Sequence, residues 1–255
     1  MSRGPRVIAL VAAAAGWTGP WGTGPAVAAP APADANQAVL MLRTARGDAF
    51  AKRADAVVSA CRGTLRFALR DHAPLAAEVQ RRVQTAKPAV ARKALDLYPC
   101  FTTARFAPAI DAGLARPPVA PYAAEIAARL EEPRTLPHLE RELADRGDRC
   151  LDPPSEAERE VCVWLAYALG PVGGAAGAQA RASVTPRLLA LLDSKAPKVR
   201  EVTVESLFAW GEKKHAPAIR RLVKREKSGG FDSPNESGLI GRFEQRARAL
   251  QKGRK

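Results

Sequence analysis

The chain has 255 residues, of which 47% are apolar, 5% aromatic and 26% charged, and its formal net charge is +14. That apolar fraction excludes disorder as the general state and suffices for a continuous core, which must be built from Ala, Leu and Val because aromatic side chains are few. No strand-type alternation stands out, and no pattern in the chain points to catalysis.

Residues 1–28 read as a secretory signal peptide. Arg3 and Arg6 precede an apolar run from Val7 to Ala15, no acidic residue intervenes, and a Gly/Pro-rich stretch ends at Ala26-Val27-Ala28, where cleavage is expected. The run is too short for a bilayer span, which needs about twenty residues. Residues 29–34 read as a flexible linker, and the expected location is periplasmic or secreted.

From residue 35 onward the chain is punctuated by proline. Pro88 through Ile110 lies over Pro197 through Ile219 without a gap, 109 positions apart, and in both copies Ala-Pro-Ala-Ile recurs twenty positions after the first proline. Proline lacks an N–H and has φ near the helical value, so it is tolerated in a first helical turn and marks helix starts. On that basis Pro74, Pro108, Pro137, Pro186 and Pro217 each open a second helix of a pair. The preceding first helix is clearest from Val199 to Trp210, with Gly211 as its C-cap. The same pattern places Leu207 and Trp210 on a core face, and Leu97 and Phe101 near the equivalent positions of the earlier copy. A strict internal period of helical hairpins predicts an all-α fold, an α-α superhelix or solenoid of about five hairpins. The expected units are 48–85, 86–117, 118–153, 154–195 and 196–228, with a capping helix over 234–252.

The run Leu188-Leu189-Ala190-Leu191-Leu192-Asp193, then Lys198-Val199-Arg200, then Leu207-Phe208-Ala209-Trp210-Gly211 and Pro217-Ala218-Ile219, resembles a HEAT-like repeat: a leucine-rich helix, an Asp-containing turn, a Val-Arg pair, an apolar helix ending in Gly and a Pro-headed second helix. The likeness is good over 186–223, fair over 86–114 and 118–146, and loose over 48–85. Tetratricopeptide and armadillo units are the competing labels, and the missing Trp and Gly-Tyr pattern disfavours the first. The resemblance implies an extended binding groove and no cofactor. Some HEAT-like proteins bind nucleic acid or act as lyases, and that is the alternative function.

The four cysteines are Cys61, Cys100, Cys150 and Cys162. In an exported chain they are expected to pair. Cys150 and Cys162 bracket a short turn, which favours Cys150–Cys162 and leaves Cys61–Cys100 to stitch the first two units; buried free thiols are the alternative. No two cysteines have the two-to-four-residue spacing of a zinc site, so no metal is expected.

The Gly/Ala-rich segment 171–181 reads as a mobile loop between two helices, without the Lys-Ser or Lys-Thr of a phosphate loop. His72 and His215 stand two positions before helix-opening prolines, where an imidazole satisfies backbone, and His138 follows such a proline. Glu156, Glu158 and Glu160 read as an exposed helix start. No catalytic residue and no cofactor-binding residue is expected.

Charge is concentrated at the end of the chain, where residues 195–255 carry a net +9. Arg220, Arg221, Lys224, Arg225 and Lys227 fall on one helix, and Arg242, Arg246, Arg248, Lys252, Arg254 and Lys255 follow. Helical spacing aligns Arg220 with Lys224 and Arg221 with Arg225, and Arg221 and Arg225 are expected in solvent; a solvated cap that keeps the last repeat soluble is the alternative reading. These four form the candidate binding residues of a non-catalytic scaffold module. The expected partner is an acidic protein, with an anionic envelope polymer or lipid surface as further possibilities and nucleic acid disfavoured by export. The chain is expected to be a monomer.

Overall fold

Helix starts in this chain are set by proline and by small polar caps. The computed structural model describes residues 29–63 and 65–253, so the expected signal peptide, its cut after Ala28, and Arg254 and Lys255 lie outside the described residues. Within them stand fourteen α-helices and no strand. In chain order these are α1 (Ala35–Thr44), α2 (Gly47–Arg62), α3 (Arg66–Arg70), α4 (Ala73–Thr85), α5 (Pro88–Leu95), α6 (Thr103–Leu114), α7 (Ala120–Leu130), α8 (Leu136–Arg146), α9 (Asp148–Leu151), α10 (Glu156–Ala176), α11 (Ala178–Ala190), α12 (Pro197–Trp210), α13 (Ala216–Lys227) and α14 (Ser237–Gln251). No helix among the described residues is long and apolar enough to cross a membrane.

Caps follow the local chemistry. Asp34 accepts a hydrogen bond from the Gln37 amide at 2.8 Å and starts α1, and Ser155 accepts from the Glu158 amide at 3.2 Å and starts α10. His72 accepts from the Leu75 amide through Nδ1 at 3.3 Å. Pro74, Pro88, Pro137, Pro197 and Pro217 lie in first turns. Pro108 and Pro186 do not: they sit inside α6 and α11, which begin five and eight residues earlier. Both prolines are exposed, as are Ala104 and Ala182 four residues before them, so each carbonyl that loses its N–H partner faces water. Gly211 ends α12 in the left-handed conformation, φ 69°, as a C-cap.

The two copies of the internal repeat differ in one respect. α12 runs unbroken to Trp210, whereas α5 stops at Leu95 and a 3₁₀ turn, Tyr98–Cys100, follows. Pro99 holds the position of Phe208 and cannot donate to the Leu95 carbonyl, so the helix ends there.

Packing runs between neighbours in chain order. α2, α5, α7, α10, α12 and α14 contact one another successively in one row, and α1, α4, α6, α8 and α11 do so in a second. The shared core includes Leu97, Phe101, Leu207 and Trp210, all buried, together with many alanines. Cys61 stands opposite Cys100 with Cα atoms 5.1 Å apart, and Cys150 opposite Cys162 at 5.4 Å, both within the disulfide range. Disulfides persist in oxidising surroundings, so the two pairs point to an extracytoplasmic setting.

The Gly/Ala-rich segment is not a loop. α10 continues through it to Ala176, and α11 begins at Ala178 after the single residue Gly177, φ 87°. The glycines serve close approach. A Cβ on Gly170 would meet Ser206 Oγ at 2.8 Å, and one on Gly173 would meet the Trp210 indole at 2.8 Å. Pro171 within α10 withholds an N–H from the Tyr167 carbonyl. α12 supplies donors along the same stretch: Ser206 Oγ donates to Ala166 O at 2.7 Å, and Trp210 Nε1 reaches the carbonyls of Leu169 and Gly170, each at 3.0 Å. Arg181 closes the segment by donating to Gly173 O at 3.0 Å while pairing with Glu212 at 2.9 Å.

Candidate binding surface

The basic end is built on α13. Its apolar stripe, Ile219, Leu222 and Val223, is buried, and Glu226 lies in the same register and is buried too. A carboxylate so placed requires a partner, and Arg200 of α12 supplies it, Nε to Oε1 at 2.8 Å with both side chains wholly enclosed. Arg200 also donates to the carbonyls of Ser194 (2.7 Å), Lys195 (2.9 Å) and Ser233 (2.6 Å). Glu226 accepts in turn from the Asn235 amide at 2.9 Å. The segment between α13 and α14 is thereby pinned at Ser233 and Asn235, and Phe231 lies between the guanidiniums of Arg200 and Arg225, 3.9 and 4.5 Å from its centre.

Pinning this segment fixes α14 against α13 and leaves a cleft of about 560 Å³ between them. Val223 and Ala247 form its apolar floor. Arg220, Lys224, Lys227 and Arg248 line it with Ser228 and a single carboxylate, Glu244. Glu244 accepts from Lys227 at 2.5 Å and from Arg248 at 3.0 Å. The hydrogen bond from Lys227, with the nearby charge of Arg248, holds its carboxyl below the ordinary glutamate range. Two of the four lining cations, Lys227 and Arg248, are thus engaged with Glu244, while Arg220 is held by Gln251.

The structure divides the four expected binding residues. Arg220 and Lys224 face the cleft, where Arg220 also bonds Gln251. Arg221 and Arg225 lie on the other flank, and Arg225 is not simply solvated: it pairs with Asp193 and stacks on Phe231. Sequence reasoning missed Glu244 as a cleft residue, Gln251 as the partner of Arg220, Asp193 and Phe231 as the partners of Arg225, and Asn235 as a partner of Glu226. The available signal was Glu226, the one carboxylate in the apolar register of α13.

Other expectations need correction. Glu158 is not part of an exposed helix start, because its Oε1 accepts from the buried Arg146 at 2.7 Å across the α8–α10 junction. Glu156 and Glu160 are exposed. His215 caps nothing. It is buried beside Trp210, ring centres 5.7 Å apart, with Nε2 3.6 Å from a Glu212 carboxylate oxygen. Burial pushes its pKa down against the opposing pull of Glu212. His138 lies 3.3 Å from Asp111. Among the described residues no group of three His, Cys, Asp or Glu side chains is placed to hold a metal ion.

The chain matches no protein-family model, no curated protein and no solved structure.

Proposed function

We propose that the protein is a non-catalytic binding and scaffold module of the cell envelope, a solenoid of HEAT-like hairpins, which holds an acidic protein partner at its basic α13–α14 end after export to the periplasm or the exterior. The observation that carries this reading is the cleft lined by Arg220, Lys224, Lys227 and Arg248 with a single carboxylate, Glu244, over an apolar floor. Like charges this close repel one another, and an anionic partner relieves that repulsion. The buried Arg200–Glu226 pair supports the same reading, since it fixes the helices bearing the cations and lowers the cost of ordering them on binding. Successive contacts within each row of helices support the stacked-hairpin arrangement.

The test is capture from an envelope extract, with the wild-type chain compared against Lys224→Glu/Arg248→Glu. Recovery of one stoichiometric acidic protein by the wild type, lost in the double variant, supports the reading. Capture of the same protein by both overturns the cleft as its site.

A further inference from the structure

The corner between α2 and α4, at the opposite end of the chain from the basic cleft, presents the most exposed large apolar side chain among the described residues. Phe67 of α3 is 81% exposed. The position follows from helix geometry: residues two apart point about 200° away from each other, and Leu69 is fully buried, so Phe67 is turned outward. The corner is also braced. Cys61 at the end of α2 is linked to Cys100, Thr102 N donates to Arg70 O at 3.2 Å, and His72 caps the helix that follows. An apolar ring held outward on a braced corner does not fold back to hide itself and stays available for contact.

Its surroundings are basic. Residues 55–71 contain Arg62, Arg66 and Arg70, all three exposed, against Asp55 and Asp71 at the two ends of the stretch, a net +1. Arg66 and Arg70 are four apart on α3 and flank Phe67 in sequence, so their charges repel until an anion lies between them. The neighbouring cleft of about 330 Å³ adds Arg105 and Arg134 against one carboxylate, Asp71. An exposed apolar tip on a segment that carries three exposed arginines matches the interface of an anionic bilayer. The ring enters the acyl boundary while the guanidiniums stay at the headgroups.

We propose that the α2–α4 corner, with Phe67 at its tip and Arg62, Arg66 and Arg70 on the same segment, is an interfacial anchor that docks the protein on an anionic lipid bilayer. The proposal is independent of the cleft at α13–α14.

The experiment uses the full chain with vesicles of phosphatidylcholine, with and without phosphatidylglycerol. Because the basic C-terminal end also attracts anionic vesicles, the readout must come from the corner itself. Phe67→Trp is expected to add fluorescence that shifts to the blue on anionic vesicles and is quenched by lipids brominated on the acyl chain. Phe67→Ala is expected to weaken partitioning about tenfold. Arg66→Gln and Arg70→Gln are each expected to weaken it about fivefold. If the added fluorescence of Phe67→Trp is neither shifted nor quenched on vesicles that nevertheless bind, the proposal is overturned. So is it by equal partitioning of the wild type and Phe67→Ala, which would leave the corner as a contact for a protein.

Discussion

Arg200 and Glu226 form an ion pair whose two side chains are both wholly enclosed, with 2.8 Å between Nε and Oε1. The pair joins α12 to α13, and through the Ser233 carbonyl and the Asn235 amide it also holds the segment leading to α14. Charges taken out of water are tolerated here because nearly every donor and acceptor finds a partner.

Removing one member should therefore cost more than removing an apolar side chain of the same size. Arg200→Met is expected to destabilise by about 3 to 5 kcal/mol, because it leaves Glu226 buried without its countercharge. Hydrogen exchange should show the amides from 228 to 236 losing protection along with α14. A urea midpoint equal to that of the parent would remove the pair from the account of how α14 is held.

A second expectation concerns the glycines of α10. Gly→Ala in a helix interior ordinarily stabilises by about 0.5 to 1 kcal/mol. At Gly174, where a Cβ meets nothing within 4 Å, that gain should be seen. At Gly173 the same change drives a methyl group into Trp210 and should cost about 1 to 3 kcal/mol. Thermal melts of the two variants should move in opposite directions, and equal shifts would show that α10 and α12 do not pack as closely as described.

These glycines also mark where sequence reasoning stopped. The helical class was legible because Pro88 and Pro197 open equivalent helices and because Leu207 and Trp210 recur at helical spacing. The segment 171–181 was misread because Gly and Pro weaken a helix in isolation. Here the neighbouring helix supplies Ser206 and Trp210 as donors to α10 and fills the space that side chains would otherwise need. That compensation lies about forty residues away and leaves no local signal. The cleft was half legible for a similar reason: the cations of α13 follow a clear period, but their division between two flanks depends on Asp193, Phe231 and Gln251, which belong to other elements.

His215 gives a prediction in pH. Burial lowers its folded pKa below the ordinary histidine value, so the folded state binds this proton less readily than the unfolded state. Its contribution to stability is present above the unfolded pKa of about 6.5 and is lost as pH falls below it toward the folded value. Asp111 and Glu142 act in the opposite sense, since burial raises both of their pKa values. The histidine is therefore isolated by comparing the wild type with His215→Phe. The difference in urea midpoint between the two should change in favour of the variant between pH 7 and pH 5. A difference that stays constant across that range would mean that His215 takes up its proton without cost.

The two disulfides should differ in weight. Cys61 and Cys100 are 39 residues apart and Cys150 and Cys162 are 12 apart. On the chain-entropy account the first is worth about 4 kcal/mol and the second about 3. Peptide mapping without reduction should recover both linked pairs, and Cys61→Ala/Cys100→Ala should melt below Cys150→Ala/Cys162→Ala. The reverse order would indicate that the shorter bridge, beside the α9–α10 turn, constrains more than its loop length implies.

The last prediction separates the cleft from the charge of the whole end. Poly-L-glutamate serves as a defined acidic probe, and its affinity should fall as salt rises, since exposed charges are screened within about 8 Å at physiological ionic strength. Lys224→Glu/Arg248→Glu and Arg221→Glu/Arg225→Glu change the net charge equally, but only the first pair lines the cleft. The second pair lies on the far flank, where Arg225 is engaged with Asp193 in an exposed ion pair, and its loss should cost about 0 to 1 kcal/mol of stability. If the cleft holds the probe, the first double variant abolishes binding while the second weakens it only modestly at low salt. Equal weakening by both variants, with parallel salt dependence, would assign the attraction to the net charge of α13 and α14, and the partner's site would then have to be sought along the rows of stacked helices.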